Sequence, residues 1–298
     1  MANFAGFTKS RIKCGDVNLN VLRGGHGAPL ILIHGYPQNH RCWAKVAEDF
    51  AAHFDVIIPD LRGYGESDAP ADDAKHTVYS KREMALDIVG LMDALDLPSA
   101  MVLGHDRGAR VSYRLALDHP HRVTRLGIIE IVPTGDFWEM WSAQIAMNAY
   151  HWTFLAQPAP MPETLIAADP AGYMDWTLAN WCGPKNLSPF PPDALQSYRD
   201  QAADPARMAA MCADYRAGAT TDRTIDDADR AEGRKLTMPM HFLFGEHGFP
   251  ASTGDPAGIW RDWCDDVTAS TCDTGHFVMD EDPQSVLDAF IPFFRATA

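Results

Sequence analysis

Residues 104–110 are GHDRGAR, with an aspartate where the pattern they follow usually has a serine. The first five of them have the spacing of G-x-S-x-G, the nucleophile elbow, which is a sharp turn from a strand into a helix. The apolar run 100–106 precedes the turn, and a helical stretch follows it and stops before Pro120. The stretch therefore predicts a strand, a turn and a helix, with Asp106 at the tip of the turn.

Short apolar runs recur on both sides of this turn. Several are continuous and rich in Ile, Val and Leu, as in parallel strands that are buried on both faces. Helical patterns such as KREMALDIVGLMDALDLP lie between them, so the alternation predicts an α/β fold with a doubly wound, mostly parallel sheet. The predicted strands are VNLNVLRGG (17–25), PLILIHG (29–35), FDVIIPD (54–60), AMVLGHD (100–106), RLGIIEIV (125–132) and MPMHFLFGE (238–246).

The alternation of strands and helices stops between residues 134 and 227. This segment is rich in Trp, Met, Pro and Ala and contains helical pieces such as PARMAAMCADYRAGA. We predict that 134–227 forms a helical cap inserted into a core made of 1–133 and 228–298. A ligand site is expected between the cap and the core, because ligands commonly lie in such clefts.

The charge and composition of the chain exclude several classes of partner. A net charge of −15 and a pI near 5.1 argue against nucleic acid or an anionic membrane as a partner. No apolar run reaches the roughly 18 to 20 residues of a membrane span, and the N-terminal stretch lacks the pattern of a secretory signal. We expect a cytoplasmic protein without cofactor or metal, since its six cysteines are scattered without metal-binding spacing: Cys14, Cys42, Cys182, Cys212, Cys264 and Cys272.

Two further motifs belong with the aspartate of the elbow. HGYP (34–37) follows a predicted strand, where the backbone N–H of Tyr36 can serve an oxyanion hole together with the N–H of Arg107. His276 lies after the last strand, in a position suited to a general base. The order along the chain, with the nucleophile first and the histidine last, is the order of the hydrolases that carry this elbow.

Two carboxylates compete for the role of the acid that orients His276. Glu130 lies in IIEIVP at the end of one predicted strand, and Glu246 lies in FGEHG at the end of another. We favour Glu130, because an unpaired carboxylate at the end of a buried strand would be costly. Glu246 stands in a polar loop, where water can solvate it.

An aspartate nucleophile indicates a particular reaction class. Its carboxylate is ionised at neutral pH, and it can displace a leaving group from a saturated carbon to form an alkyl ester. Water activated by His276 would then cleave the ester, so the substrate class is a halide or an epoxide. Arg107 and Arg110 are three residues apart on the following helix and share a face beside Asp106, where they can hold a carboxylate. Arg114, one turn further on, is expected to be a structural ion-pair partner.

Four stretches of the sequence resemble the fluoroacetate dehalogenases, also called haloacetate dehalogenases, which have an α/β-hydrolase core with a helical cap. The resemblance covers nearly the whole chain and implies a small haloacid as substrate, water as co-substrate and a homodimer. The four stretches are GHDRGARVSYRLALD (104–118), YHWTFLAQPAP (150–160), CADYRAGA (212–219) and TGHF (274–277).

The resemblance also assigns roles to individual residues. It implies that Asp106 is the nucleophile, that His276 is the base, and that Arg107 and Arg110 hold the substrate carboxylate. The family has aspartate where this chain has Glu130, and the extra methylene could shift the imidazole.

The cap residues that the resemblance assigns to the departing halide are His151, Trp152 and Tyr215. Their side chains supply three N–H or O–H donors, and a fluoride leaving group needs such donors in a dry pocket.

Three other functions are compatible with parts of the pattern. An epoxide hydrolase would use two cap tyrosines, for which Tyr215 and Tyr150 are available, but it has no use for two arginines beside the nucleophile. A haloalkane dehalogenase usually has a halide-binding tryptophan after the nucleophile, where this chain has Arg107. A non-catalytic receptor for a small acid would have little need for a complete catalytic set.

Overall fold

The structure is a computed structural model that describes residues 4–296. A single sheet forms the centre of this part of the chain, and all eight of its strands are hydrogen-bonded in one layer. The strands are β1 (Thr8–Cys14), β2 (Val17–Gly25), β3 (Pro29–Ile33), β4 (Asp55–Pro59), β5 (Ala100–His105), β6 (Val123–Ile129), β7 (Met240–Gly245) and β8 (Val267–Cys272).

The strands are ordered β1-β2-β4-β3-β5-β6-β7-β8 across the sheet. β1 pairs with β2, and β2 with β4, in the antiparallel sense, whereas all the other neighbours are parallel. The prediction of a doubly wound, mostly parallel sheet is therefore confirmed. β1 and β8 were not among the predicted strands, because they form the two edges and carry many exposed residues instead of a continuous apolar run.

Helices connect most of the strands. They are α1 (Ala47–Ala51), α2 (Lys81–Ala94), α3 (Arg107–Asp118), α4 (Thr134–Glu139), α5 (Ala143–Asn148), α6 (Tyr150–Leu155), α7 (Met161–Ile166), α8 (Pro170–Trp181), α9 (Pro192–Ala203), α10 (Pro205–Ala219), α11 (Thr221–Ala231), α12 (Pro256–Trp263), α13 (Val278–Glu281) and α14 (Pro283–Arg295). Short 3₁₀ turns occupy His40–Trp43, Pro120–Arg122 and Pro250–Thr253.

The sheet is covered on both faces by apolar side chains. Ile88 of α2 and Val111 of α3 belong to one buried cluster, and Phe50 of α1 and Phe290 of α14 belong to another. Between β6 and β7 the chain forms the eight helices α4–α11, which we call the cap helices. The last of them, α11, continues past residue 227, where the sequence predicted the end of the cap.

The turn between β5 and α3 has the tight geometry of a nucleophile elbow. Asp106 has φ +48° and ψ −119°, in a region that residues with a side chain rarely adopt. A Cβ on Gly108 would collide with the backbone of His34, and a Cβ on Gly104 would collide with the side chain of Ser112. Glycine at both positions therefore allows three parts of the chain to meet at Asp106: strand β5, helix α3 and the loop that follows β3.

Candidate active site

Asp106 and His276 face each other at the carboxyl edge of the sheet. The Asp106 Oδ2 atom lies 3.6 Å from His276 Nε2, and Oδ1 accepts a hydrogen bond of 2.8 Å from the backbone N–H of Tyr36. Both side chains are almost fully buried, and His276 Nε2 has no hydrogen-bond partner within residues 4–296. A buried carboxylate with one free oxygen therefore stands beside a free imidazole nitrogen.

Glu130 is the carboxylate that contacts the other nitrogen of this imidazole. Its Oε2 lies 3.1 Å from His276 Nδ1, and its Oε1 accepts from the backbone N–H of Gly245 at 2.6 Å. Burial raises the pKa of Glu130, and the hydrogen bonds from His276 and Gly245 counteract this rise. The contact favours the tautomer with the proton on Nδ1, which leaves Nε2 able to accept a proton.

Glu246, the other acid considered from the sequence, lies elsewhere. Its side chain is exposed, and its Oε1 accepts from Thr271 Oγ1 at 3.3 Å on the surface. The two acids follow neighbouring strands, but only Glu130 reaches His276.

Arg107 is fully buried and is paired with an acid of the cap helices. Its Nε donates to Asp214 Oδ1 at 3.1 Å, and its Nη2 donates to the same oxygen and to the backbone carbonyl of Asp214 at 2.5 Å. Its guanidinium lies 4.3 Å from the centre of the Tyr215 ring. Nη1 has no hydrogen-bond partner among the described residues. The ion pair thus occupies one edge of the guanidinium and leaves Nη1 available.

The backbone N–H of Arg107 was predicted to join that of Tyr36 in an oxyanion hole. Arg107 is the first residue of α3, where backbone N–H groups lack partners inside the helix. Of the two N–H groups, that of Tyr36 is hydrogen-bonded to Asp106 in the structure.

Arg110 lies one turn further along α3 and has no acidic partner within residues 4–296. Its Nη1 donates to the backbone carbonyl of Val132 and to Thr134 Oγ1, both at 3.0 Å. Its Nε is buried without a partner in the same part of the chain, and its guanidinium lies 4.6 Å from the centre of the Trp152 ring. Burial lowers the pKa of Arg110. The intrinsic pKa of arginine is so high that the side chain nevertheless stays charged.

Arg114 differs from the two arginines before it. It is ion-paired with three acids of α3 and α11, as the sequence predicted for a structural arginine. The partners are Asp118, Asp226 and Asp229.

His151, Trp152 and Tyr215 form one aromatic cluster above the two arginines. The ring centroid of Tyr215 lies 5.5 Å from that of His151 and 6.0 Å from that of Trp152. Burial holds the pKa of His151 well below its ordinary value and that of Tyr215 well above it. At neutral pH the imidazole is therefore uncharged and the phenol keeps its proton, so both can donate hydrogen bonds.

A small cavity lies between the cap residues His151 and Trp152 and the core residues Asp106, Arg110 and His276, and neither Arg107 nor Tyr215 is among its lining residues. Its lining combines ionisable side chains with apolar ones, the composition expected of a site for a small polar ligand. Its lining consists of Asp106, Arg110, Glu130, Ile131, Val132, Phe137, His151, Trp152, Phe249, Pro250 and His276. Within residues 4–296 there is no group of three or more metal-binding side chains, and no helix there is both long and apolar enough to cross a membrane.

Several residues of the site were not singled out from the sequence. Asp214 pairs with Arg107, and Lys81 pairs with the same carboxylate from the start of α2. Phe249 lines the cavity, and Gly248 beside it contacts Glu130. Asp214 directly precedes Tyr215 in the stretch 212–219, which carried the family resemblance. This position beside Tyr215 was the one signal in the sequence that pointed to Asp214.

Known proteins share both this fold and this arrangement of the chain. A family model described as alpha/beta hydrolase fold matches residues 28–283. The crystal structure of a Nostoc sp. PCC 7120 protein assigned to the α/β hydrolases superposes with a TM-score of 0.96 at 41% identity, covering 99% of this chain and 100% of that one.

Two curated enzymes are similar over nearly the whole length. The fluoroacetate dehalogenase of Burkholderia sp. is 39% identical, over 94% of this chain and 91% of that protein. The soluble epoxide hydrolase of Corynebacterium sp. (strain C12) is 30% identical, over 93% of each. The resemblance predicted from the sequence is thereby confirmed: the chain belongs to the α/β-hydrolase family, as a hydrolase related to fluoroacetate dehalogenase.

Proposed function

We propose that this enzyme hydrolyses the carbon–halogen bond of haloacetates, fluoroacetate among them, to give glycolate and a halide ion. The observation that carries the proposal is the pair of buried arginines beside Asp106. Arg107 Nη1 and Arg110 Nε are both buried without a partner within the described residues. Leaving such donors unpaired is costly, and the carboxylate of a small acid would supply the missing acceptors.

The first step is a substitution at the α-carbon of the bound acid. Asp106 Oδ2 forms a bond to this carbon while the carbon–halogen bond breaks, and the halide departs with the bonding electrons. Oδ1 accepts from the N–H of Tyr36, which orients the carboxylate and leaves Oδ2 free to attack. The arginines hold the substrate carboxylate, so that the neighbouring carbon lies in front of Oδ2.

The second step is hydrolysis of the resulting ester. His276 Nε2 accepts a proton from water, and the water oxygen attacks the Cγ atom of Asp106. Negative charge then builds up on Oδ1, which lies 2.8 Å from the N–H of Tyr36. The ester bond breaks, the imidazolium protonates the departing glycolate oxygen, and the carboxyl group of Asp106 returns its proton to solvent. Glu130 stabilises the imidazolium between these events.

The aromatic cluster assists the halide in the first step. His151 and Trp152 line the cavity next to Asp106, and Tyr215 packs against both rings. We assign these three donors to the departing halide, because a small anion of concentrated charge needs hydrogen bonds where water is excluded.

Epoxide hydrolysis is the second candidate, since a soluble epoxide hydrolase is 30% identical over most of the chain. That reaction needs acidic O–H groups over the nucleophile, for which Tyr215 and Tyr150 were considered. Neither tyrosine is among the residues that line the cavity, and Tyr150 packs against the exposed Trp176, with ring centroids 5.6 Å apart. The buried charge of Arg110 also offers nothing to a neutral epoxide. We therefore favour the haloacid.

Fluoride release from fluoroacetate, followed with an ion-selective electrode, tests the proposal. Wild-type protein should release fluoride over many turnovers, and Asp106→Ala should retain its fold and release none. Chloroacetate and styrene oxide, assayed in parallel, separate the two candidate functions. Diol formation from styrene oxide without halide release from either haloacetate would show that the substrate is an epoxide and not a haloacid. Halide release from folded Asp106→Ala would show that Asp106 is not the nucleophile.

We also propose that the protein is a homodimer, as the family resemblance implies. Large apolar side chains are exposed on the cap helices, and burial against a second copy would cover them. Met147 is 78% exposed, Leu165 58% and Trp176 53%. Sedimentation equilibrium should show a dimer for the wild type and a higher dimer dissociation constant for Trp176→Glu. A monomeric wild type at all concentrations would contradict the proposal.

A further inference from the structure

The carboxylate of Glu130 occupies the space that a side chain at residue 248 would need. Gly248 lies in the loop after β7, where its N–H donates to the carbonyl of Gly245 at 3.0 Å. A Cβ atom added to Gly248 would lie 2.5 Å from Glu130 Cδ and closer still to both carboxylate oxygens. Non-bonded carbon atoms do not approach other heavy atoms this closely, so such a side chain and the present carboxylate position exclude each other.

Space, and not backbone conformation, accounts for glycine at this position. Gly248 is not among the glycines with positive φ, so its backbone conformation is open to alanine. Gly233 and Gly254 show the opposite case, because their φ values are +66° and +88° while nothing lies within 4 Å of an added Cβ.

The Glu130 carboxylate has little freedom to move away from such a side chain. One oxygen is held by His276 Nδ1 at 3.1 Å and the other by the N–H of Gly245 at 2.6 Å. The side chain is buried, with 1% of its residue surface exposed, and its backbone has φ +63°. A displaced carboxylate would therefore lose at least one of its two donors, and His276 would lose its fixed orientation.

We propose that Gly248 is a positioning residue, whose missing side chain lets a glutamate at residue 130 hold His276. This inference rests on the proposed role of Glu130 as the acid that orients His276. An aspartate at position 130 would be one methylene shorter, so its carboxylate would withdraw from residue 248 and leave room for a Cβ. The two positions are therefore coupled: glutamate at position 130 requires glycine at position 248, whereas aspartate tolerates alanine there.

A double-mutant cycle measures this coupling directly. It compares wild type, Gly248→Ala, Glu130→Asp and the double variant in steady-state halide release from a haloacetate. In the wild-type background, Gly248→Ala should lower the rate by about 100-fold or more, since loss of the acid that orients a catalytic histidine costs up to about 10⁴-fold. In the Glu130→Asp background the same substitution should cost less than about threefold. Equal losses in the two backgrounds would overturn the proposal.

Pre-steady-state kinetics separates positioning from general damage. Gly248→Ala should still release about one halide per active site in the first turnover, because the attack by Asp106 does not use His276 Nδ1. Gly90→Ala is the matched control. Gly90 lies on α2, and a Cβ added there would come within 3.2 Å of Cys14 Cα on β1. It should leave both phases unchanged. A folded Gly248→Ala protein without the first halide would overturn the proposal, because the effect would then reach beyond Glu130.

Proton NMR tests the same coupling without any substrate. A hydrogen-bonded imidazole Nδ1–H gives a signal far downfield, and His276→Gln identifies it by its loss. The signal should be present in the wild type, absent in Gly248→Ala and recovered in the double variant. Retention of the signal in Gly248→Ala would overturn the proposal. If the wild type released no halide, the proposed function would fail while these spectra would still decide the role of Gly248.

Discussion

Asp214 accepts hydrogen bonds from Nε and Nη2 of Arg107 and leaves Nη1 without a partner within the described residues. Lys81 pairs with the same carboxylate, and Tyr64 donates its hydroxyl to the other oxygen at 2.7 Å. Burial would raise the pKa of Asp214, but the charges of Arg107 and Lys81 hold it below its usual range. The acid is thus ionised and fixes the rotation of the guanidinium, and under the proposed function Nη1 is the atom that donates to the substrate carboxylate.

Replacement of Asp214 by asparagine should weaken substrate binding more than chemistry. The amide lacks the charge that orients Arg107, and its NH₂ group is repelled by the two neighbouring cations. We expect KM for a haloacetate to rise about tenfold or more, the effect of losing a charge-assisted hydrogen bond, with a smaller change in kcat. Steady-state kinetics on a folded variant measures both.

Asp87→Asn is the matched control for this experiment. Asp87 is a buried acid paired with Arg62 through hydrogen bonds of 2.5 and 2.6 Å, and neither residue lines the cavity. This variant should lose stability and keep the KM of the wild type. An unchanged KM in Asp214→Asn would show that Arg107 does not depend on its acid.

Substitution of His276 by alanine should stop the reaction at the ester. The attack by Asp106 needs no proton transfer, whereas hydrolysis of the ester does. The variant should release up to one halide per active site and then stall. Mass spectrometry should find the substrate's CH₂–COO unit attached to a peptide that contains Asp106. An unmodified peptide after long incubation of the folded variant would contradict the two separate roles.

Trp152→Phe should distinguish fluoride from better leaving groups. The change removes one N–H donor and keeps most of the apolar surface that covers the Arg110 guanidinium, 4.6 Å from the ring centre. Turnover of fluoroacetate should fall by about 100-fold, the scale of losing one preorganised donor. Turnover of chloroacetate should fall much less, because chloride needs less help to depart.

The comparison of the two substrates contains its own control. Any effect of Trp152→Phe on Arg110 and carboxylate binding acts on both haloacetates, so it cancels in the ratio of their rates. Equal losses for the two substrates would mean that Trp152 only shapes the cavity.

The free energy of unfolding should fall with rising pH because of Asp280. This carboxyl group is fully buried in α13, where burial outweighs the hydrogen bond of 2.7 Å from Gln38 and raises its pKa to about 7. Lys45 donates to its backbone carbonyl, and Glu281 adds negative charge nearby. Between the ordinary pKa of 3.8 and about 7, the folded state binds more protons than the unfolded state, so stability decreases across that window and levels off above it.

Asp280→Asn cannot ionise and should remove this dependence. Its stability relative to wild type should increase from pH 4 to pH 8 by up to about 4 kcal/mol, the linkage value of such a shift. Urea unfolding at several pH values measures the difference, with the exposed Asp288→Asn as control. A difference that stays constant with pH would show that Asp280 ionises normally in the folded protein.

The parts of the fold that follow local rules could be predicted from the sequence. GHDRG specified the elbow because its glycines stand where β5, the loop after β3 and α3 pack too closely for a Cβ. Most of the strands β2–β7 were predictable because burial on both faces leaves continuous apolar runs, as in PLILI of β3, whereas β2 (VNLNVLRGG) alternates apolar and polar residues at its start. β1 and β8 were not, since an edge strand exposes one side to water and its sequence can be polar.

For the candidate site too, some features could be predicted from the sequence and others depended on the folded structure. The order of residues along the chain predicted that Asp106 and His276 lie near each other, because each follows an element with its own sequence signature, and their side chains are 3.6 Å apart in the structure. The sequence favoured Glu130 over Glu246 but left both acids open, because both follow strands. The folded chain places Glu130 Oε2 3.1 Å from His276 Nδ1. The sequence could not pair Arg107 with Asp214, since 107 positions separate them in the chain. Such contacts depend on how the cap helices pack on the sheet, and this packing results from many weak apolar contacts that no local pattern encodes.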